Sequence, residues 1–277
     1  MTATDRPAHG VVVARRGPAL LVGLDRPVKR NALDEATVTA LHAVLDDARR
    51  EPCVLVVHST TPGVFAAGAD IAELLERDAA AALRGINSGL MDRVEAHPWP
   101  SVAVVDGPAL GGGCELALAC DLRIGSPRAR FAQPEPTLGI IAGAGAHWRL
   151  PQAVGLPTAR RMLYTGEVLD ADAAHRAGLL DAVHPAEVLL DEAVALAERI
   201  ASRSWRALEL TKAALRAHRP ATTAFDQVAQ ALLFEDPEKR ERMGAFLRER
   251  ERRRGAGGVS PREQAPQGGH PTDAGRG

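Results

Sequence analysis

Aromatic side chains are nearly missing from this chain, at 3% of its 277 residues. So few rings leave little with which to stack exposed bases. Net charge is missing too: 34 Lys and Arg against 35 Asp and Glu give −1. Near-neutrality removes the long-range field that would draw the chain to nucleic acid or to a membrane surface. Cysteine is scarce and odd in number. Cys53, Cys114 and Cys120 lie in apolar surroundings, which argues against a disulfide framework and for buried thiols in a reducing compartment. No apolar run reaches bilayer length, and the N-terminus Met1-Thr2-Ala3-Thr4-Asp5-Arg6 has no hydrophobic signal core. A soluble, cytoplasmic chain is expected. What is abundant is apolar residues, 45% of the total, enough for a sizeable core in one large domain or two small ones.

Val11 to Leu24 alternate around Gly17-Pro18, which predicts a hairpin. Asp34 is placed to cap a helix running to Arg50. Cys53–His58 and Val102–Val105 read as buried strands, and Leu122–Gly125 and Ala129–Ala132 as two more. Ala79 to Ala96 predicts one helix ending before Pro98, and Gly111 to Ala119 a short helix after a turn at Asp106–Leu110. Strands and helices in alternation with short links indicate an α/β core with crossovers. From Pro151 to about Arg250 the pattern is entirely helical. The expected organisation is an α/β core over 1–200, a helical region over 201–254 and a disordered Gly/Pro-rich tail over 255–277.

Two carboxylates carry the chemistry, each beside a glycine-rich turn. Glu115 lies in Gly107-Pro108-Ala109-Leu110-Gly111-Gly112-Gly113-Cys114-Glu115, and Glu135 in Gln133-Pro134-Glu135-Pro136-Thr137-Leu138-Gly139. One ionised and one protonated Glu in a pocket can serve as base and acid on one substrate. The helix start at Gly111-Gly112-Gly113 offers unpaired N–H groups for an oxyanion, and Glu115 projects from the same first turn. The plainer alternative is that these glycines only allow tight packing. Phe65-Ala66-Ala67-Gly68-Ala69-Asp70-Ile71 could bare a second amide, with Asp70 capping the next helix; an ordinary loop and cap is its plainer reading. Gly143-Ala144-Gly145 lacks the third glycine and the acidic partner of a dinucleotide fingerprint, and no phosphate-loop Gly-Lys-Ser/Thr occurs. His and Cys show no metal-ligand spacing, and no His is identifiable as a partner for Cys114.

From about Val11 to Arg250 the chain resembles the enoyl-CoA hydratase/isomerase (crotonase) superfamily. The resemblance rests on Leu24-Asp25-Arg26-Pro27 with Asn31-Ala32-Leu33, Phe65 to Ile71, Asp106 to Asp121, Phe131 to Gly145, Tyr164-Thr165-Gly166 and Ala177-Gly178-Leu179, in family order and spacing. It implies a crotonase fold: a superhelical, repeated ββα core with a C-terminal helical trimerisation region, assembled as a homotrimer or homohexamer. It implies enoyl-CoA hydratase activity on an acyl-CoA thioester. The backbone N–H groups of Ala69 and Gly112 would form the oxyanion hole. Glu115 would activate a water for Cβ, and Glu135 would hold that water and protonate Cα. Both Glu are present, as in true hydratases; many sibling enzymes keep one. Ala67, Asp70, Ile71 and Gly143 would line the substrate site. Lys29, Arg30 or Arg248 would meet the CoA phosphates. No metal and no cofactor beyond the substrate's own CoA is implied.

The chain departs from the family pattern at Ala142, at Ala146-His147-Trp148 and at Ala72, often a basic residue that reaches CoA phosphate. His147 and Trp148 would border the acyl pocket, against a plainer reading of a solvated His147 and a core Trp148. Arg252-Arg253-Arg254 reads as a solvated helix end. Double-bond isomerisation, non-catalytic acyl-CoA binding and nucleic-acid binding through the arginine-rich helix stand as rivals to hydration.

Overall fold

The computed structural model describes residues 9–217 and 223–256. The hairpin forms where the alternation places it: β1 (Val11–Arg16) pairs antiparallel with β2 (Ala19–Leu24). Asp34 then caps α1 (Glu35–Ala48), its carboxylate accepting from the Thr37 amide at 2.9 Å. β3 (Val54–Ser59) follows. Asp70 caps α2 (Ile71–Glu76), which leads to α3 (Ala79–Leu83) and α4 (Ile86–Glu95). Next come β4 (Ser101–Val105), β5 (Pro108–Leu110), α5 (Gly112–Ala119), β6 (Leu122–Gly125) and β7 (Arg130–Ala132). A 3-10 turn at Glu135–Leu138 precedes α6 (Ala146–Thr165), which breaks at Gly155. The chain continues through β8 (Leu169–Asp170), α7 (Ala171–Arg176), β9 (Ala182–Val183), α8 (Leu189–Ala201), α9 (Trp205–Arg216), α10 (Thr223–Glu235) and α11 (Pro237–Ala256).

The strands sort into two sheets. The larger has the order β1-β2-β3-β4-β6-β9, parallel from β2 onward. The smaller, β5-β7-β8, is extended by single bridges from Leu33 to Ala69 and from Ala66 to Ala109. Each turn of chain thus gives one strand to the large sheet, a short extended piece to the small one, then a helix. Stacked turns of this kind make the superhelical ββα core. β2 and β4 are buried throughout, as strands covered on both faces should be. One face packs on α1, α4 and α5, the other on α8 through Leu189, Ala193, Val194 and Ala197. A third cluster joins Leu74, Leu138 and Ile140 to Phe234 and Met243, seating the last two helices against the α2–α3 segment.

Four expectations need correction. Ala79–Ala96 is not one helix, because Gly85 takes a left-handed φ of 63° and separates α3 from α4. The stretch after Pro151 is not entirely helical: β8 pairs with β7 and β9 with β6. Two-residue strands are too short to leave a period-2 signal. Asp106–Leu110 is likewise not all turn, since Pro108–Leu110 is β5. The tail expected to start at Gly255 is helical to Ala256, and 257–277 lies outside the described residues.

Candidate active site

α5 is apolar apart from Glu115 and fully buried, so its N-terminus reaches the interior of the molecule. Glu115, on its first turn, is 3% exposed. Its Oε1 accepts from the Ala144 amide at 2.8 Å and the Ala146 amide at 3.1 Å. Glu135 opens the 3-10 turn opposite and is 7% exposed. Gly111, with φ 51°, lies between them; a Cβ there would sit 2.6 Å from Glu135 Oε1, so only glycine lets the carboxyl in. The Gln133 amide, oriented by its hydrogen bonds, donates to Glu135 Oε2 at 3.0 Å and Oε1 at 3.2 Å.

The two carboxyls differ in surroundings. Burial raises both above the ordinary Glu range. For Glu115 this is opposed by the Ala144 and Ala146 amides and by the Arg149 guanidinium, while Asp226 pushes it further up. Glu135 is driven well above the ordinary range by burial and then by the Glu115 charge. Glu115 is therefore the ionised member and Glu135 the one that keeps its proton. Both line one cavity of about 100 Å³ together with Gly112, Ala69 and Gly143.

The expected pair of amides also meets. A Cβ built on Gly112 would lie 3.4 Å from the Ala69 nitrogen. Among the described residues, neither N–H donates to another backbone group outside regular ladders. The Gln230 amide packs on Gly143, within 3.1–3.4 Å of a Cβ built there.

Ala67, Ala69 and Ile71 also line a second, larger groove of about 570 Å³ on the outer side of this segment. Lys29, Arg30 and Asp70 are on its wall, and Lys29 Nζ pairs with Asp70 Oδ2 at 3.1 Å. Asp70 also accepts from the Ala72 amide, so part of its role is capping. Arg248 is not on that wall. The cations facing Lys29 and Arg30 are Arg250, Arg253 and Arg254, on one stripe of α11 with Phe246 and Glu249. Arg253 and Arg254 are thus groove residues and Arg252 is not, while Arg252 and Arg253 both pair with Glu249. The i, i+3, i+4, i+7 spacing from Phe246 could have revealed this stripe.

His147 does not line the inner cavity, and its side chain is only partly exposed: its Nε2 lies 2.6 Å from Oδ1 of the buried Asp226, which ties α6 to α10. Trp148 is a core residue, as its plainer reading held, with the Arg149 guanidinium over its ring at 4.2 Å. The three thiols are free and buried, with Cys53 pushed up to about 11 and Cys120 to about 12 by desolvation. Among the described residues no cluster of His, Cys, Asp and Glu is arranged for a metal ion, and no helix is long and apolar enough to cross a membrane.

The chain is similar to known proteins along most of its length. Residues 17–254 match the family Enoyl-CoA hydratase/isomerase, and the chain belongs to it. It is 39% identical over 248 residues to the 2,3-dehydroadipyl-CoA hydratase of Escherichia coli, covering 87% of this chain and 96% of the relative. It is 36% identical over 252 residues to the crotonyl-CoA hydratase of Syntrophomonas wolfei, with the same coverage of both chains. The crystal structure of an enoyl-CoA hydratase from Mycobacterium avium subsp. paratuberculosis superposes with a TM-score of 0.77 at 28% identity, covering 88% of this chain and 97% of that one. The fold is the crotonase fold.

Proposed function

We propose that the protein is an enoyl-CoA hydratase that adds water syn across the trans-2 double bond of an enoyl-CoA to give the 3-hydroxyacyl-CoA. One observation carries this reading: two buried carboxyls in unlike environments share a small cavity with a pair of adjacent backbone amides. The thioester oxygen sits on the Ala69 and Gly112 N–H groups, which stabilise the charge it gains as the enolate forms. Ionised Glu115 takes a proton from a water whose oxygen bonds to Cβ. Protonated Glu135 gives its proton to Cα. The proton left on Glu115 restores the pair by exchange through water. Nothing is oxidised or reduced, so the reaction needs no cofactor beyond the CoA of its substrate.

The outer groove suits the rest of the carrier. Lys29, Arg30, Arg250, Arg253 and Arg254 surround an opening at the same Ala67–Ile71 segment that presents the Ala69 amide. A phosphate-bearing chain there places its thioester at the inner cavity. The exposed Leu210 and Leu215 of α9 and Val228 and Leu232 of α10 are apolar surface that contact between copies would cover, which supports the trimer. Light scattering on the eluting protein tests that assembly.

The activity is tested with trans-2-butenoyl-CoA, following loss of the conjugated thioester absorbance, beside a 3-enoyl-CoA shift assay. Hydration faster than double-bond migration is the expected result. Faster migration would make the protein an isomerase, and neither reaction would leave it an acyl-CoA-binding protein.

A further inference from the structure

The far side of the inner chamber is not a plain hydrocarbon pocket. Leu74, Ile86, Ile140 and Phe234 supply apolar wall, but Arg77, Asn87, Ser88, Gln227 and Gln230 line it with them. These polar residues come from three places: the end of α2, the first turn of α4 and the inner side of α10. They are held, not loose. The Arg77 side chain is 10% exposed; its Nη1 donates to Asn87 Oδ1 at 2.9 Å and its Nη2 to Glu73 Oε2 at 3.0 Å. Lys239 of α11 donates to the Arg77 carbonyl from behind. Gln230 Oε1 accepts from the Ile141 amide at 3.3 Å, and Ser88 Oγ donates to the Gly85 carbonyl at 3.2 Å. Gln227 reaches this wall only because residue 85 is glycine: a Cβ there would lie 2.5 Å from its Nε2.

These bonds decide what the wall can offer. The side-chain oxygens of Asn87 and Gln230 are already engaged with protein donors. The hydrogens left for a ligand are those of the two NH₂ groups, and the Arg77 guanidinium beside them offers only donors, although Gln227 and the Ser88 hydroxyl can also accept. A saturated tail in this space would strip water from those N–H groups and return no acceptor. An oxygen-rich, anionic end would satisfy them, and the single cation among them favours a carboxylate. Glu73 pairs with the Arg77 Nη2, with 37% of its own side chain exposed, while the Arg77 side chain is the more buried of the two. The cavity's volume, about 100 Å³, holds a handful of water-sized groups, so the chain is short.

We propose that the chamber takes short enoyl-CoA thioesters whose acyl chain ends in a carboxylate, received by Arg77, Asn87 and Gln230. The orientation, thioester at Ala69 and Gly112 and tail toward α4 and α10, rests on the hydratase reading.

The test compares kcat/KM of the full-length protein for trans-2-hexenoyl-CoA, the six-carbon trans-2-enoyl-CoA with a terminal carboxylate, and the methyl ester of the latter. The carboxylate should exceed hexenoyl by at least about tenfold, because buried donors of Arg77, Asn87 and Gln230 disfavour a tail with nothing to accept from them. The ester should fall between them. Hexenoyl-CoA turned over as efficiently as the carboxylate would overturn the proposal. In Arg77→Met and Gln230→Leu the ratio should collapse toward one; a ratio unchanged in both folded variants would count against these residues as the receiving groups. Calorimetry with the two saturated six-carbon acyl-CoA esters, with and without the carboxylate, reads the same preference without turnover. Tighter binding of the carboxylate with no hydration of any enoyl ester would remove the hydratase reading and leave the ligand class standing. Equal or weaker binding of the carboxylate would remove the ligand class.

Discussion

The inner chamber and the outer groove share Ala67, Ala69 and Ile71, yet they are built from opposite materials. Around Gly111 and Gly112 in the inner chamber, the ionisable groups are carboxyls less than a tenth exposed, fixed by backbone amides and a side-chain amide. Outside, most ionisable groups are cations on long side chains, with Arg253 four-fifths exposed. On the proposed function, the difference follows from what each would have to do. Moving protons at carbon needs charges in a dry site, where each is strong and preorganised. Gripping a polyphosphate can be done in water by several weak, screened contacts that add up.

The largest effects should therefore come from the inside. Glu115→Gln and Glu135→Gln should each lower kcat for hydration about 10²- to 10⁴-fold, with KM little changed, in steady-state assays. The double variant should fall well short of the product of the two losses, because the pair acts on one water. Activity should be bell-shaped in pH, rising as Glu115 loses its proton and falling as Glu135 loses its own, with Glu115→Gln removing the acid limb and Glu135→Gln the alkaline one.

The same variant separates catalysis from stability. Burial holds the Glu135 proton more tightly in the folded chain than in the unfolded one. Stability from this group is thus present below the ordinary Glu range and lost as pH rises through the raised value. Glu135→Gln should raise the melting temperature at pH 8 and leave it unchanged at pH 4, while destroying activity at both.

A smaller effect is expected where the amides meet. Gly112→Ala puts a methyl group 3.4 Å from the Ala69 nitrogen. It should cost on the order of 10²-fold in kcat/KM, near the lower end of what losing one oxyanion donor costs. The smallest belong to the groove. Arg253→Ala and Arg254→Ala should each raise KM only about two- to fivefold, an effect that shrinks as salt is added. A groove variant that cut kcat as deeply as Glu115→Gln would erase the distinction between the two regions.

Much of the inner site was legible along the chain. Glu115 and Glu135 stood beside their glycine turns, and Asp34 and Asp70 announced the helices they cap. Such signals are local, because a cap or a first-turn carboxylate acts within three or four residues. The break at Gly85 was not legible, since a lone glycine in a helical pattern is tolerated until something such as Gln227 packs on it. Nor was the polar wall, whose members lie on α2, α4 and α10. The α11 stripe was partly visible by spacing, but which arginines face Lys29 and Arg30 depends on how the helix is rotated against the core.

The order of the amino acids settled the chemical vocabulary of this protein: two acids twenty residues apart, bare amides on small residues, cations at the end of a long helix. Which acid carries the proton was decided only by folding. The amides of Ala144 and Ala146 and the guanidinium of Arg149 reach Glu115 from about thirty residues along the chain. A carboxyl's affinity for its proton depends on what surrounds it in space, and that is assembled by the packing of α6 against α5.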